Sequence, residues 1–166
     1  MAIVAGIKSL NFWQLFKLAK VLILKPLFIV PTYKATKKTV NVCNAYFGKK
    51  HHKNNSTNAF RHALWNFLIC KKCYKVSNSI EKTSLWAEKI TSLHELLSPN
   101  SELAKIMDLH NNRIGRELFE NNTSNSIDII TLLEEMMENA VHVNSIEEIK
   151  AVQSRLVFIE KLETQL

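Results

Sequence analysis

Glycine and proline are scarce in this sequence, each occurring only three times in 166 residues. Sandwiches and barrels of β-strands need a turn signal about every ten residues, and so few glycines and prolines do not supply it. Because 46% of the residues are hydrophobic, the chain can still bury a core of single-domain size. These proportions predict an all-α domain built from long helices.

Acidic residues are almost missing from the first half of the chain. Residues 1–83 hold 15 lysines and arginines but one acidic residue, whereas residues 84–166 hold seven lysines and arginines and 14 acidic residues. The basic half could attract an anionic partner such as lipid head groups, nucleic acid or another phosphate ester. Alternatively, the two halves attract each other within one fold.

Cysteine is also rare, with three residues in the whole chain. An odd number in a chain of this size favours reduced thiols over a disulfide framework. Cys70 and Cys73 have the spacing of a redox or zinc pair, but no second pair completes a four-ligand zinc site. We therefore interpret these cysteines as structural.

No long hydrophobic run is free of charge. Residues 9–30 are the most hydrophobic stretch, but Lys17, Lys20 and Lys25 interrupt it, which disfavours a membrane-spanning helix. The spacing predicts an amphipathic helix that either binds an anionic membrane surface or packs on the domain. Without a basic n-region or an Ala-x-Ala-like site, a cleaved signal peptide is not expected, which favours the cytoplasm or the membrane periphery.

Helical periodicity and capping residues predict a compact bundle of six or seven helices, the N-terminal amphipathic helix included. The chain then divides into an N-terminal segment, 1–30, and a single helical domain, 31–166. The further helices are predicted at 32–45, 56–72, 79–97, 99–120, 127–141 and 145–162. Between the first two of these, residues 49–55 form a polar basic loop.

Polar side chains interrupt the apolar faces of three predicted helices. They are His62 and Asn66 in the helix at 56–72, His94 and Glu95 in the helix at 79–97, and Asp108 and His110 in the helix at 99–120. Burying such groups costs free energy unless they are paired or bound. Imidazoles and carboxylates of this kind, brought together, bind divalent metals, and a set without thiolates suits zinc, iron or manganese.

These residues and their neighbours receive predicted roles. The predicted metal ligands are His62, His94, Asp108 and His110, and the predicted catalytic residues are Glu95, His94 and Asp108. Glu95 is the candidate general base, or alternatively a further ligand. The predicted substrate-binding residues are Arg61, Asn66, Asn111, Asn112 and Arg116, whose guanidinium groups could hold a phosphate. A metal-free version uses His94 or His62 as the base, oriented by Glu95 or Asp108.

Gly115 is unusual because it lies inside a predicted helix. A glycine in a helix interior costs about 1 kcal/mol relative to alanine. We therefore expect a neighbouring helix or a ligand to come close at this position.

Three motifs resemble a bacterial family of a domain of unknown function. They are Asn58-Ala59-Phe60-Arg61-His62-Ala63-Leu64-Trp65-Asn66, the pair His94-Glu95, and the run from Met107 to Arg116, which together lie within residues 54–120. That family occurs as short stand-alone proteins in Bacteroidetes-like bacteria and at the C-termini of Rhs-type and other polymorphic toxins. The resemblance covers about residues 31–120. It implies a helical domain, a polar site made by the three motifs and a toxin or effector activity, with a secretion-system or immunity partner.

The order of the polar residues is also similar to that of helical metal phosphohydrolases of the HD type, although Glu95 stands in place of the aspartate of their doublet. The leading hypothesis is a small bacterial hydrolase, metal-assisted, that acts on a phosphate ester in lipid or nucleic acid. One alternative is a non-catalytic module that docks on a membrane or a secretion-system partner through residues 9–30, its motif residues forming a buried hydrogen-bond network. Another is a metal-free peptidoglycan or peptide hydrolase that uses the His94–Glu95 pair.

Overall fold

The computed structural model describes residues 19, 20, 23, 25–123 and 128–160. Most of the amphipathic helix predicted at 9–30 lies outside these residues. So do the predicted start of a helix at Ile127 and the predicted end of another at Leu162. Within the described part of the chain, no helix is both long and apolar enough to cross a bilayer.

The described residues form six α-helices and two very short strands, so the prediction of a compact all-α fold is confirmed. The helices are α1 (Ile29–Phe47), α2 (Ser56–Ser77), α3 (Ile80–Leu97), α4 (Glu102–Asn121), α5 (Ile129–Glu138) and α6 (Ile146–Ala151). The strands are β1 (Val141–His142) and β2 (Val157–Phe158), and single 3₁₀ turns cover Pro26–Phe28 and Lys50–His52.

Helix α2 is the centre of the bundle and contacts α1, α3, α4 and α5. The side chain of Asn55 begins it by accepting hydrogen bonds from the backbone N–H groups of Thr57 and Asn58. Asn78 ends it in the left-handed conformation, at φ 50°. Large side chains such as Phe60 and Phe67 are fully buried, as expected for a helix that is apolar around most of its circumference.

Helices α2 and α4 approach each other closely at Gly115. A Cβ atom at this position would lie 2.1 Å from the backbone oxygen of Ala63, far inside van der Waals contact. The expectation of a close neighbour is therefore confirmed, and the neighbour is the backbone of α2. This contact brings the polar residues of α4 within hydrogen-bonding reach of those on α2.

Two predicted helix starts are wrong in detail. Helix α1 begins at Ile29 rather than after Pro31, because a proline in the first turn removes only a backbone N–H that has no partner within the helix. Helix α4 begins after Ser101, whose side chain accepts a hydrogen bond from the N–H of Ala104, and not at Pro99.

The long helix predicted at 145–162 is the clearest error. Ser145 caps α6 as predicted, but α6 ends at Ala151 and the chain turns back to form β2. Strand β2 pairs in parallel with β1. Helix α5, which was predicted to reach residue 141, ends earlier, at Glu138, because Val141 belongs to β1. Leu156 and Val157 are fully buried in this arrangement. Tertiary burial therefore overrides the local helical pattern of this segment.

Candidate metal centre

Three helices each bring one metal-ligating side chain to the same buried point. His62 comes from α2, Glu95 from α3 and Asp108 from α4, and each is 2% exposed or less. Their ligand atoms all lie within 4.8 Å of one another. We call this group the metal centre.

The spacing of polar residues on the helices explains how the centre is assembled. Each helix carries a pair of buried polar residues one turn apart: His62 and Asn66 on α2, Thr91 and Glu95 on α3, and Asp108 and Asn112 on α4. Residues four apart share one helix face. Because α2 contacts both α3 and α4, the three polar ridges meet in the middle of the bundle.

His62 is held by hydrogen bonds on both sides of its ring. Its Nε2 lies 2.8 Å from Nη2 of Arg61, and its Nδ1 lies 3.1 Å from Oδ1 of Asn112. Since arginine can only donate, Nε2 accepts and Nδ1 carries the proton. The carboxylates lie beyond these partners, with Asp108 Oδ1 at 3.3 Å from Nε2 and Glu95 Oε1 at 3.6 Å from Nδ1.

Several polar atoms at the centre are buried without a partner. Among the described residues, Glu95 Oε1, Asp108 Oδ1 and Asn112 Nδ2 make no hydrogen bond of good geometry, although Asn112 and Asp108 lie close enough to Glu95 to affect its pKa. An unpaired buried polar group costs about 1–3 kcal/mol, and more when it is charged. A cation bound between the two oxygens would remove that cost, so the donor set fits a metal ion.

Burial shifts the ionisation of all three groups. It raises the pKa of Glu95, and the nearby Asp108 carboxyl raises that pKa further. Burial also raises the pKa of Asp108, against an opposing effect of the Arg61 cation. The pKa of His62 is lowered well below its usual value, first by burial and then by Arg61. The imidazole is therefore neutral, as a metal ligand must be, while the carboxyls retain protons that a metal would displace.

Arg61 is fixed from its other side by a residue that the sequence analysis placed in a basic loop. Its Nη1 donates to the backbone oxygen of His51 at 2.8 Å. His51 is completely buried, and its Nε2 lies 2.9 Å from Oδ1 of Asn44 in α1. The pKa of His51 is lowered to about 4, mainly because the ring is buried. Nothing in the loop's composition indicated that one of its histidines supports the site.

A layer of amides connects the metal centre to a second arginine. Asn66 donates to Asn112 Oδ1 at 2.6 Å, and its own Oδ1 accepts from Arg116 and from Thr91, each at 3.3 Å. Thr91 is fully buried and was missed by the sequence analysis. Its position four residues before Glu95 was the available signal.

Arg116 also lines a surface groove of about 770 Å³ between α3, α4, α6 and the residues that follow α6. Six ionisable residues line it: Glu88, His110, Arg113, Arg116, Glu117 and Lys150. Arg116 Nη2 lies 3.6 Å from Glu88 on the groove side and reaches Asn66 on the inner side. The groove and the buried centre are thus one continuous polar system.

The remaining predicted site residues lie around the centre rather than within it. His94 is exposed, with its ring edge-on to Trp65 at 5.2 Å, and His110 Nε2 lies 2.9 Å from the backbone oxygen of Arg155. Neither histidine belongs to the three-residue group. Asn111 uses both polar atoms on Val157, donating to its backbone oxygen at 2.9 Å and accepting from its N–H at 3.0 Å.

Comparison with known proteins gives one match. A family model described as a domain of unknown function (DUF6973) matches residues 19–141, a range that contains the whole metal centre. No curated protein matches the chain, and no solved structure does.

Proposed function

The chain belongs to the family described as a domain of unknown function (DUF6973), and we propose that it is a metal-assisted hydrolase of phosphate esters. The observation that carries this proposal is the pair of unpartnered carboxylate oxygens, on Glu95 and Asp108, buried beside a neutral His62. A fold retains such a costly arrangement when a ligand completes it.

One imidazole and two carboxylates suit manganese, iron or zinc. When bound, a divalent ion supplies Lewis acidity toward a phosphoryl oxygen and lowers the pKa of water. His62, Glu95 and Asp108 would hold it. Because Nε2 of His62 accepts from Nη2 of Arg61, the guanidinium would have to release that nitrogen when an ion binds, and it contributes a positive charge beside the centre.

The charge balance around the centre favours an anionic substrate. Two carboxylates cancel the charge of a divalent ion, which leaves the Arg61 cation uncompensated. Arg116 adds a second guanidinium at the groove, although Glu88 partly neutralises it. Guanidinium groups bind phosphate oxygens through paired, charge-assisted hydrogen bonds. A phosphate ester entering the groove would therefore meet positive charge along its path.

His94 is the candidate proton acceptor because it is exposed and directly precedes Glu95 in α3, with its ring packed edge-on against Trp65. The pKa of His94 is itself lowered, first by loss of solvation and then by Arg61, so its ring is neutral near pH 7. A neutral imidazole can take a proton from an attacking water, which supports its predicted catalytic role. We extend the proposal to a toxin or effector role, for which the motif resemblance is the support.

The metal centre can be tested by direct binding. Chelator-treated protein is titrated with Mn²⁺, Fe²⁺ and Zn²⁺ under anaerobic conditions, and bound metal is counted after gel filtration. We expect one ion per chain in the wild type and loss of binding in Asp108→Asn. Glu102→Gln, which neutralises an exposed carboxylate on the same helix, is the matched control and should bind normally.

The activity is tested separately with nitrophenyl phosphate mono- and diesters. We expect metal-dependent hydrolysis that Asp108→Asn abolishes and that His94→Ala reduces by roughly 10²–10⁴-fold, the usual contribution of a general base. Wild-type protein that binds no ion refutes the metal centre. Protein that binds an ion but cleaves neither ester refutes the phosphoesterase activity.

A further inference from the structure

Lysines from two helices crowd together on one surface of the bundle. They are Lys34 and Lys38 of α1 and Lys71, Lys72 and Lys75 of α2. The pKa of Lys72 is lowered by partial burial and then by the charges of the other four. Among the described residues, no carboxylate lies within ion-pair distance of any of them.

The packing of α1 against α2 explains this crowding. Thr32 Oγ1 near the start of α1 lies 3.8 Å from Cys73 Sγ near the end of α2, and Thr36 Oγ1 accepts from Trp65 Nε1 at 2.9 Å. The two helices are therefore antiparallel, and the first turns of α1 lie beside the last turns of α2. Glu81 in the first turn of α3 is the only acidic residue in the first 83 residues.

Exposed apolar side chains lie next to these lysines. Leu27, just before α1, is 73% exposed, and Val30 and Tyr33 in the first two turns of α1 are 57% and 56% exposed. Val76 follows directly after Lys75 on α2 and is 48% exposed. We call these four residues together with the five lysines the docking face. Large exposed apolar side chains that adjoin lysines are typical of a surface that binds a partner or a membrane.

We propose that the docking face binds the surface of a bilayer rich in anionic lipids. The apolar side chains would enter the boundary between head groups and acyl chains, while the lysines contact the anionic head groups. Nucleic acid would satisfy the lysines but would leave Leu27 and Val30 without an apolar environment. The face also has no arginine, the residue most used for bidentate phosphate and base contacts.

This inference is independent of the metal centre and is tested with vesicles. Full-length protein is sedimented with vesicles of phosphatidylcholine alone and of phosphatidylcholine mixed with phosphatidylglycerol. We expect binding to the mixed vesicles only, weakening as salt is added, because screening shortens the reach of the lysine charges. Equal binding to both kinds of vesicle would overturn the proposal.

Two variants with the same change in net charge locate the surface. The test variant replaces Lys34, Lys38 and Lys75 by glutamine, and the control replaces Lys89, Lys105 and Lys150, which lie on other elements. Each lysine near an anionic surface strengthens binding by roughly fivefold, so the test variant, which lacks three of them, should bind roughly a hundredfold more weakly. The control should change little. Equal weakening in the two variants refutes the assignment of this face.

The apolar half of the face is tested by Leu27→Ser with Val30→Ser, both at exposed positions where folding is expected to survive. We expect weaker vesicle binding with all lysines intact. Unchanged vesicle binding in this variant, or displacement of the wild type from mixed vesicles by duplex DNA at equal phosphate concentration, would identify a polyanion site and overturn the membrane proposal.

Discussion

At Gly115, the absence of a side chain sets the distance between α2 and α4. Replacing it by alanine places a methyl group 2.1 Å from the Ala63 oxygen, and helix backbone cannot yield as a flexible side chain would. We predict that Gly115→Ala destabilises the protein by about 3 kcal/mol, at the upper end of overpacking effects, despite the better helix propensity of alanine. Urea unfolding measures the change.

Lys105→Ala, in an early turn of α4, provides the control for that experiment and should alter the unfolding free energy by less than about 0.5 kcal/mol. Because the same contact positions Asp108 and Asn112 against His62, Gly115→Ala should also weaken metal binding. A variant as stable as the wild type would contradict the close approach.

Glu95 gives a prediction in pH. The folded protein raises the pKa of this carboxyl toward about 8, so it keeps a proton that the unfolded chain releases near the ordinary carboxyl value. Its contribution to stability is therefore present at low pH and is lost as pH rises through that window. Glu95→Gln keeps the shape and cannot ionise. In metal-free protein, we predict that the unfolding free energy of Glu95→Gln minus that of the wild type increases by on the order of 2 kcal/mol from pH 5 to pH 8.

Chemical unfolding at several pH values in the presence of a chelator measures this gain. Glu117→Gln, on the groove side of α4, is the matched control because it removes a carboxylate from the same protein outside the buried centre. A constant offset in Glu95→Gln would mean that the carboxyl is already ionised in the folded protein at pH 5.

Single residues were predictable from sequence where helix spacing alone decided their position. His62, Glu95 and Asp108 stand out as polar groups on apolar helix faces, and the structure brings all three together. His110 satisfied the same criterion but, two residues after Asp108, lies on another face of α4 at the groove and is bonded to the backbone of Arg155. His51 could not be predicted because its burial depends on how the 3₁₀ turn folds back onto α1.

Among the elements, the amphipathic helices α1 to α5 followed from periodicity because each has a local start signal or an apolar stripe. The segment after Ala151 did not, since its conformation is decided by distant contacts. The side chain of Asn111 on α4 hydrogen-bonds to both the N–H and the C=O group of Val157, as a further strand beside β2 would do. A sequence pattern records neither of these long-range bonds.

Asn111→Ala tests the role of this side chain. It leaves the buried N–H and C=O groups of Val157 without partners, so we predict a destabilisation of about 3 kcal/mol. Hydrogen exchange should accelerate most at residues 141–143 and 156–159, while the helices of the metal centre change less. Asn139→Ala, whose side chain bonds only within its own exposed turn, is the control. Uniform acceleration across the chain would mean that Asn111 supports the whole fold.

On the scale of the whole molecule, the metal centre lies where α2, α3 and α4 meet, beside the hydrogen bonds that Asn66 makes to the other two helices. A ligand that binds only the folded chain stabilises it in proportion to the logarithm of its excess over the dissociation constant. Because the ligand set is complete only when α2, α3 and α4 are packed together, the unfolded chain offers no comparable site. Metal binding should therefore appear as a global increase in stability.

We predict that a hundredfold excess of metal over its dissociation constant raises the unfolding free energy by about 2.7 kcal/mol, and the melting temperature by roughly 5–10 °C in a chain of this size. At one fixed metal concentration the increase should be larger at pH 8 than at pH 6, because Glu95 and Asp108 must lose their protons before they can bind, and both have raised pKa values. Differential scanning calorimetry measures both effects. In Asp108→Asn the increase should vanish at either pH. If that variant is stabilised as much as the wild type, the metal acts elsewhere on the chain, and the three helices are joined without it.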